Sequence, residues 1–176
     1  RQAAQRHWTI AVNVSAAQFR QPDFVAKVQT LLQQTGANAA RLELELTESQ
    51  LVDDVPDVMA KMDALRDIGV RLSLDDFGTG YSSLAMLRRL PLNQLKVDQA
   101  FVRDMFDYPQ NISIIRAIVT LGESLELEVI AEGVESVTQR DALLALGCRH
   151  FQGYLFGKPT PLPTAAASAT DSAQAG

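Results

Sequence analysis

Short runs in which aliphatic and polar residues alternate recur along the chain, separated by longer stretches whose apolar residues return every three or four positions. The first pattern predicts half-buried strands and the second amphipathic helices. Ile10-Ala11-Val12-Asn13-Val14-Ser15 predicts a strand ending near Asn13, which falls on the polar parity. A helix opened by Pro22 follows, with Phe24, Val28, Leu31 and Leu32 in one stripe and Gly36 as its stop. Arg41 to Glu48 sets three leucines on one strand face and Glu43, Glu45 and Thr47 on the other. A second helix, from about Pro56, carries Val58, Met62, Leu65 and Ile68 and stops at Gly69.

The most informative stretch comes next. Leu72-Ser73-Leu74-Asp75 alternates, Asp76 doubles the carboxylate, and Phe77-Gly78-Thr79-Gly80-Tyr81-Ser82-Ser83-Leu84 reads as a glycine-broken loop. Two adjacent aspartates at a strand's mouth repel each other unless a cation lies between them, although such a pair alone is also compatible with a solvated turn. Ser83 to Leu90 predicts a short helix ended by Pro91, and Gln94-Leu95-Lys96-Val97-Asp98 a strand with Lys96 and Asp98 on one parity. A longer helix from near Gln110 carries Ile112, Ile115, Ile118, Val119 and Leu125, and Glu128 to Glu132 forms the next strand. Ser136 with Gln139 is a capping-box signature for a helix that Gly147 ends. A last strand around Arg149 to Phe151 runs into Gln152-Gly153-Tyr154.

Six strands alternating with five helices predict a parallel sheet with crossover connections. An open doubly wound sheet and a (β/α) barrel both satisfy that order. Asn13, Glu45, Asp75, Asp98, Glu132 and Gln152 sit at or next to successive strand ends, and such a ring converges only if the sheet closes. The expectation is therefore an α/β fold of TIM-barrel type, here incomplete, with about six βα units and the two N-terminal strands upstream of Arg1. Residues 1–160 form this partial domain, and the Ala-, Ser-, Thr- and Pro-rich 161–176 a flexible tail.

Composition narrows the partners. The 176 residues are 47% hydrophobic and 21% charged, with a formal charge of -5, which argues against gripping a nucleic acid polymer through a broad basic face. One cysteine, Cys148, permits no internal disulfide and fits a cytoplasmic setting. No apolar run reaches the length of a membrane span, and a start at Arg1 without signal peptide or initiator methionine points to a piece of something longer.

Seven carboxylates (Glu45, Glu48, Asp75, Asp76, Asp98, Glu132 and Glu135) would gather at one mouth with Asn13 and Lys96. That charge is costly without metal ions. Oxygen donors without a cysteine among them point to Mg²⁺ or Mn²⁺, with Ca²⁺ as an inhibitory competitor and Zn²⁺ disfavoured. Two such ions suit phosphoester hydrolysis, and a lysine beside the attacking water can orient it or offset developing charge.

In order and spacing, Val12-Asn13-Val14-Ser15, Glu45-Leu46-Thr47-Glu48, Asp75-Asp76-Phe77-Gly78-Thr79-Gly80-Tyr81-Ser82-Ser83-Leu84, Lys96-Val97-Asp98, Ala131-Glu132-Gly133-Val134-Glu135 and Gln152-Gly153-Tyr154 resemble the motifs of the EAL-domain family, over roughly residues 8 to 160. The family comprises bacterial phosphodiesterases that linearise cyclic di-GMP to pGpG. The resemblance implies that Asn13, Glu45 and Asp75 are ligands of a first metal, and that Asp75 bridges to a second held by Asp76 and, through water, by Asp98. Lys96 resembles the residue contacting the nucleophilic water, and Glu132 a metal-site or general-base carboxylate. Glu48 resembles the anchor of the 76–84 loop, which in this family couples metal binding to dimer contacts, and Glu135 and Gln152 resemble substrate-pocket or supporting residues. The resemblance also implies a homodimer pairing near 76–90, a neighbouring GGDEF or sensor domain, and a cytoplasmic site, including the cytoplasmic part of a membrane-anchored parent.

One departure matters. The Glu-Ala-Leu signature, with its metal-binding Glu and a downstream Arg for the substrate phosphate, should precede Asn13 by some tens of residues and is not in this chain. The expectation is the C-terminal three-quarters of such a domain, inactive in this form. The alternative is a non-catalytic cyclic di-GMP receptor or protein-interaction domain, a type that typically loses metal ligands or the central loop, both kept here. Other residues have plainer readings: Glu43 as a buried or water-paired carboxylate, Trp8, His7 and His150 as packing or surface groups, and Cys148 as a small hydrophobe.

Overall fold

Six parallel strands pair in chain order: β1 (Ile10–Asn13), β2 (Leu42–Thr47), β3 (Arg71–Phe77), β4 (Gln94–Val97), β5 (Glu128–Ala131) and β6 (His150–Phe151). The computed structural model describes residues 8–51, 54–78, 80 and 84–160; the tail, His7, and Thr79 with 81–83 of the central loop lie outside them. Five crossovers join the strands. They contain α1 (Ala16–Phe19) and α2 (Phe24–Thr35), then α3 (Val55–Asp67), α4 (Leu84–Leu87), α5 (Gln99–Arg103) with α6 (Pro109–Ser124), and α7 (Val137–Ala145).

The strand parities expected from the alternation are observed. Leu44, Leu46, Leu72, Leu74, Leu95, Val97, Val129 and Ala131 are buried, in one core with Val58, Met62 and Leu65 of α3, Ile115, Ile118 and Val119 of α6 and Leu143 of α7. The alternate residues, Glu43, Glu45, Ser73, Gln94 and Lys96, are also buried, on the inner face of the curve. Helices on the convex side cover the apolar face, and the concave face, which in such a sheet is also buried, is here filled by polar side chains.

The helix ends follow local chemistry, with two departures from expectation. Ser136 and Gln139 form the expected capping box of α7, but Ser15 and Gln18 form a second one, so a short helix precedes the one expected from Pro22, which starts at Phe24 instead. Asp98 caps α5, a helix that the hydrophobic pattern is too short to reveal. Leu31 does not join the stripe of α2: it is exposed, because that helix meets the sheet along the narrower line of Val28 and Leu32. Gly36, at φ 65°, ends α2 in the left-handed region that glycine adopts without penalty.

β1 and β6 are the two outer strands. Ile10 and Val12 are 61% and 42% exposed, so the jacket that covers the middle strands does not reach β1. The sheet is a curled half-barrel, the incomplete barrel that the strand count foretold.

Candidate metal and active site

The site is built by a staircase of register. Asn13, Glu45, Ser73, Gln94 and Glu128 lie side by side across β1 to β5. Thr47 faces Asp75 one inward step higher, while Lys96 faces Ile130, which in turn faces His150. The functional side chains climb across these rows, from Asn13 and Glu45 to Asp75 and Lys96 and then to Glu132 and Gln152, as strands tilted in a barrel require. Glu132 and Gln152 fall just past their strands, yet their N–H groups still donate to Val97 (3.2 Å) and Ala131 (2.9 Å).

Simple alternation would turn Asp75 and Asp76 to opposite faces. A register shift between Leu74 and Phe77 interrupts the ladder, and Asp76 takes a φ of 54°. This bulge turns the second carboxylate to the same side as the first. Carboxylate oxygens of Asp75, Asp76 and Glu132 consequently lie within 4.8 Å of one another.

Lys96 stands in the middle. Its Nζ lies 2.6 Å from Glu132, 2.8 Å from Glu45 and 3.2 Å from Asp75, and its side chain is 4% exposed. Burial opposes its charge, but the bonds to Glu132 and Glu45 outweigh that, and its pKa is raised. Burial also raises Glu132, with Lys96 pulling the other way. Asp76 is raised by burial and then by the charges of Asp75 and Asp98. Three hard oxygen donors this close together, two of them with pKa values raised chiefly by burial, fit a divalent cation of the Mg²⁺, Mn²⁺ and Ca²⁺ kind.

The remaining candidates sit around this cluster. Buried Glu48 accepts a 2.8 Å hydrogen bond from Gly80 N–H and so ties the loop after β3 to the end of β2. Asp98 accepts from Ala100 N–H at 2.6 Å as the cap of α5 while also bonding Asp76, a structural duty the sequence did not announce. Asn13 is exposed on the outer strand beside Glu45; Glu135 and Gln152 are exposed at the rim. Gly153 lets the rim close: a Cβ there would overlap the backbone of Val134, whose N–H donates to Gln152 C=O.

The other side chains largely follow their plainer readings. Glu43 is buried and paired with Arg71, Cys148 is buried with its pKa raised by burial, and Trp8 and His150 are exposed. Sequence reasoning passed over Arg71 and Gln94. The available signal was their inward parity, since a charged or amide group on the concave face must find partners there.

A curled parallel half-barrel whose strand ends gather oxygen donors around a lysine defines a barrel-type domain with a candidate metal centre. The EAL domain family model matches residues 1–159, and the chain belongs to the EAL domain family. It is 43% identical over 160 residues, 91% of the chain, to the cyclic di-GMP phosphodiesterase NbdA of Pseudomonas aeruginosa. The solved PaMucR phosphodiesterase in complex with c-di-GMP superposes with a TM-score of 0.88 at 40% identity, over 92% of this chain and 65% of that one. Klebsiella pneumoniae BlrP1, solved as manganese/cy-diGMP and calcium/cy-diGMP complexes, superposes with a TM-score of 0.80 for the pH 9.0 manganese form, at 32% identity over 89% of this chain and 40% of that one. The chain spans between 19% and 23% of the length of the first four curated relatives it matches.

Proposed function

We propose that the chain is the metal-binding part of a cyclic di-GMP-specific phosphodiesterase domain that opens the cyclic dinucleotide to linear pGpG. The observation that carries this reading is the convergence of Glu45, Asp75 and Glu132 on Lys96, with Asp76 turned in beside them by the β3 bulge. NbdA and PaMucR, named for this activity, support it. In this reading Asn13, Glu45, Asp75, Asp76, Asp98 and Glu132 hold Mg²⁺ or Mn²⁺, and Ca²⁺ competes. Bound there, the cations would polarise a phosphoryl oxygen and acidify a water.

The chain's own groups do the rest. Lys96 faces the attacking oxygen and offsets the negative charge that grows on the phosphoryl group. Glu132, held above the usual carboxylate pKa by burial, accepts a proton. Glu48 fixes the loop at Gly80 over the site, and Glu135 and Gln152 border the substrate at the rim. Residues 1–160 act as the partial domain, 161–176 as a tail. Dimerisation near 76–90, a GGDEF or sensor neighbour and a cytoplasmic setting complete the proposal; among the described residues no helix is long and apolar enough to cross a membrane.

The test uses a protein carrying this chain behind a Glu-Ala-Leu-bearing segment. With Mn²⁺ it should convert cyclic di-GMP to pGpG, Glu45→Ala should abolish turnover, and the 176-residue chain alone should show none. Tight binding without turnover in the longer protein would instead establish a receptor.

A further inference from the structure

The carboxylates that converge on Lys96 come from strands that are not neighbours. Glu45 lies in β2 and Glu132 follows β5, three strand spacings apart, or about 14 Å along a flat sheet. Both nonetheless lie within 2.8 Å of the same nitrogen. The site therefore exists only while the sheet keeps its curvature.

A second cation ties the same two strands from below. Arg71 starts β3, four residues before Asp75, with its side chain on the concave face. Its Nε donates to Glu43 on β2 at 3.2 Å, and its Nη2 donates to Glu128 on β5 at 2.6 Å. Glu43 stands two residues before Glu45, and Glu128 four before Glu132. Between them, buried Ser73 donates to Gln94 (3.1 Å), and Gln94 donates to Glu128 (3.5 Å). A guanidinium serves the two carboxylates from separate nitrogens, Nε and Nη2, held in one rigid plane, so it fixes their separation; a lysine would have to meet both from a single nitrogen on a flexible stem.

We infer that Arg71 is a positioning residue for the metal centre: by clamping Glu43 to Glu128 across the concave floor, it fixes how closely β2 and β5 approach and hence where Glu45 and Glu132 meet. This rests on the reading of the mouth as a divalent-cation site, and the direction of the effect separates geometry from charge. Arg71→Met removes a positive charge, which by electrostatics alone would tighten cation binding. Loss of the clamp would weaken it. Losing a direct hydrogen-bond partner of a metal ligand typically costs ~10–100-fold in metal affinity; Arg71 acts one step further out, through Glu43 and Glu128, so the lower end of that range is expected.

The experiment is Mn²⁺ titration calorimetry on the intact chain and on Arg71→Met and Arg71→Lys, well below each protein's melting point. Expected is a dissociation constant ~10-fold higher for Arg71→Met. Arg71→Lys, which keeps the charge and loses the fork, should also bind more weakly. Unchanged or tighter binding in Arg71→Lys overturns the inference whatever Arg71→Met does, including failure to fold. Where the unchanged chain binds no Mn²⁺, the same three proteins are titrated behind a Glu-Ala-Leu-bearing segment, and absence of Mn²⁺ binding there refutes the cation-site reading and the inference with it.

Discussion

Lys96→Met tests most directly how the mouth is held together. Methionine fills a similar volume, so the change mainly removes the ammonium that lies 2.6, 2.8 and 3.2 Å from Glu132, Glu45 and Asp75. Breaking a buried ion pair from one side costs about 3–5 kcal/mol. An independent bound comes from the escape route. Without a counter-charge, the cluster relaxes by taking up one proton, and holding a carboxyl with a pKa near 4.3 protonated at pH 7 costs about 4 kcal/mol at 1.36 kcal/mol per pH unit. The two figures agree, and the second carries a signature. At pH 5 the same protonation costs about 1 kcal/mol, so the deficit should shrink by about 3 kcal/mol on acidification. Urea denaturation of both proteins in metal-free buffer at pH 5 and pH 7 measures it, provided the slopes stay equal. A deficit below about 1 kcal/mol at pH 7, or one independent of pH, would show that the three carboxylates are not a cluster that Lys96 neutralises.

In the unchanged protein the same lysine sets an alkaline limit. Its pKa is raised on folding, so its contribution is complete below the ordinary lysine value of about 10.4 and is lost as pH climbs through the folded value, a limb of the stability profile that Lys96→Met should lack. Glu48→Ala removes a charged acceptor worth about 1.5–3 kcal/mol from Gly80 N–H, and hydrogen exchange at that amide should quicken by roughly ten- to hundredfold. An unchanged rate would mean that other groups hold the loop. Gly153→Ala should destabilise by about 3 kcal/mol in a denaturant titration, because its methyl group would collide with the Val134 backbone; a loss under 1 kcal/mol would show that the rim yields easily.

Much of this architecture is legible in the alternation. Glu43, Glu45, Ser73, Gln94 and Lys96 turn inward because their leucine and valine neighbours need the helices, and a one-residue slip in any strand would exchange the two sets. The ring of strand-end donors was readable for the same reason. What alternation could not supply is whatever depends on broken periodicity or on tertiary closure. Asp76 joins Asp75 only through the bulge, which two successive aspartates do not announce. Lys96 read as a partner for water, and its grip on three carboxylates depends on a curvature that no single strand encodes. The α1 helix was missed although Ser15 and Gln18 repeat the Ser136 and Gln139 pattern, because its four residues have no apolar periodicity to draw attention to them. Asp98 was assigned to the metal site from its motif, and its local duty as the cap of α5 needed the backbone to be seen.

The irregularity in β3 also constrains how this segment could change. The two residues between Leu74 and Phe77 are the aspartates themselves, so deleting either would mend the ladder against β4 and leave a tidier strand only by removing one of the acids. Inserting a residue would shift Phe77 off its place opposite Val97. The spacing of these few positions is thus less tolerant of length change than of substitution, and a protein that needs both acids on one side must keep its sheet imperfect at this point.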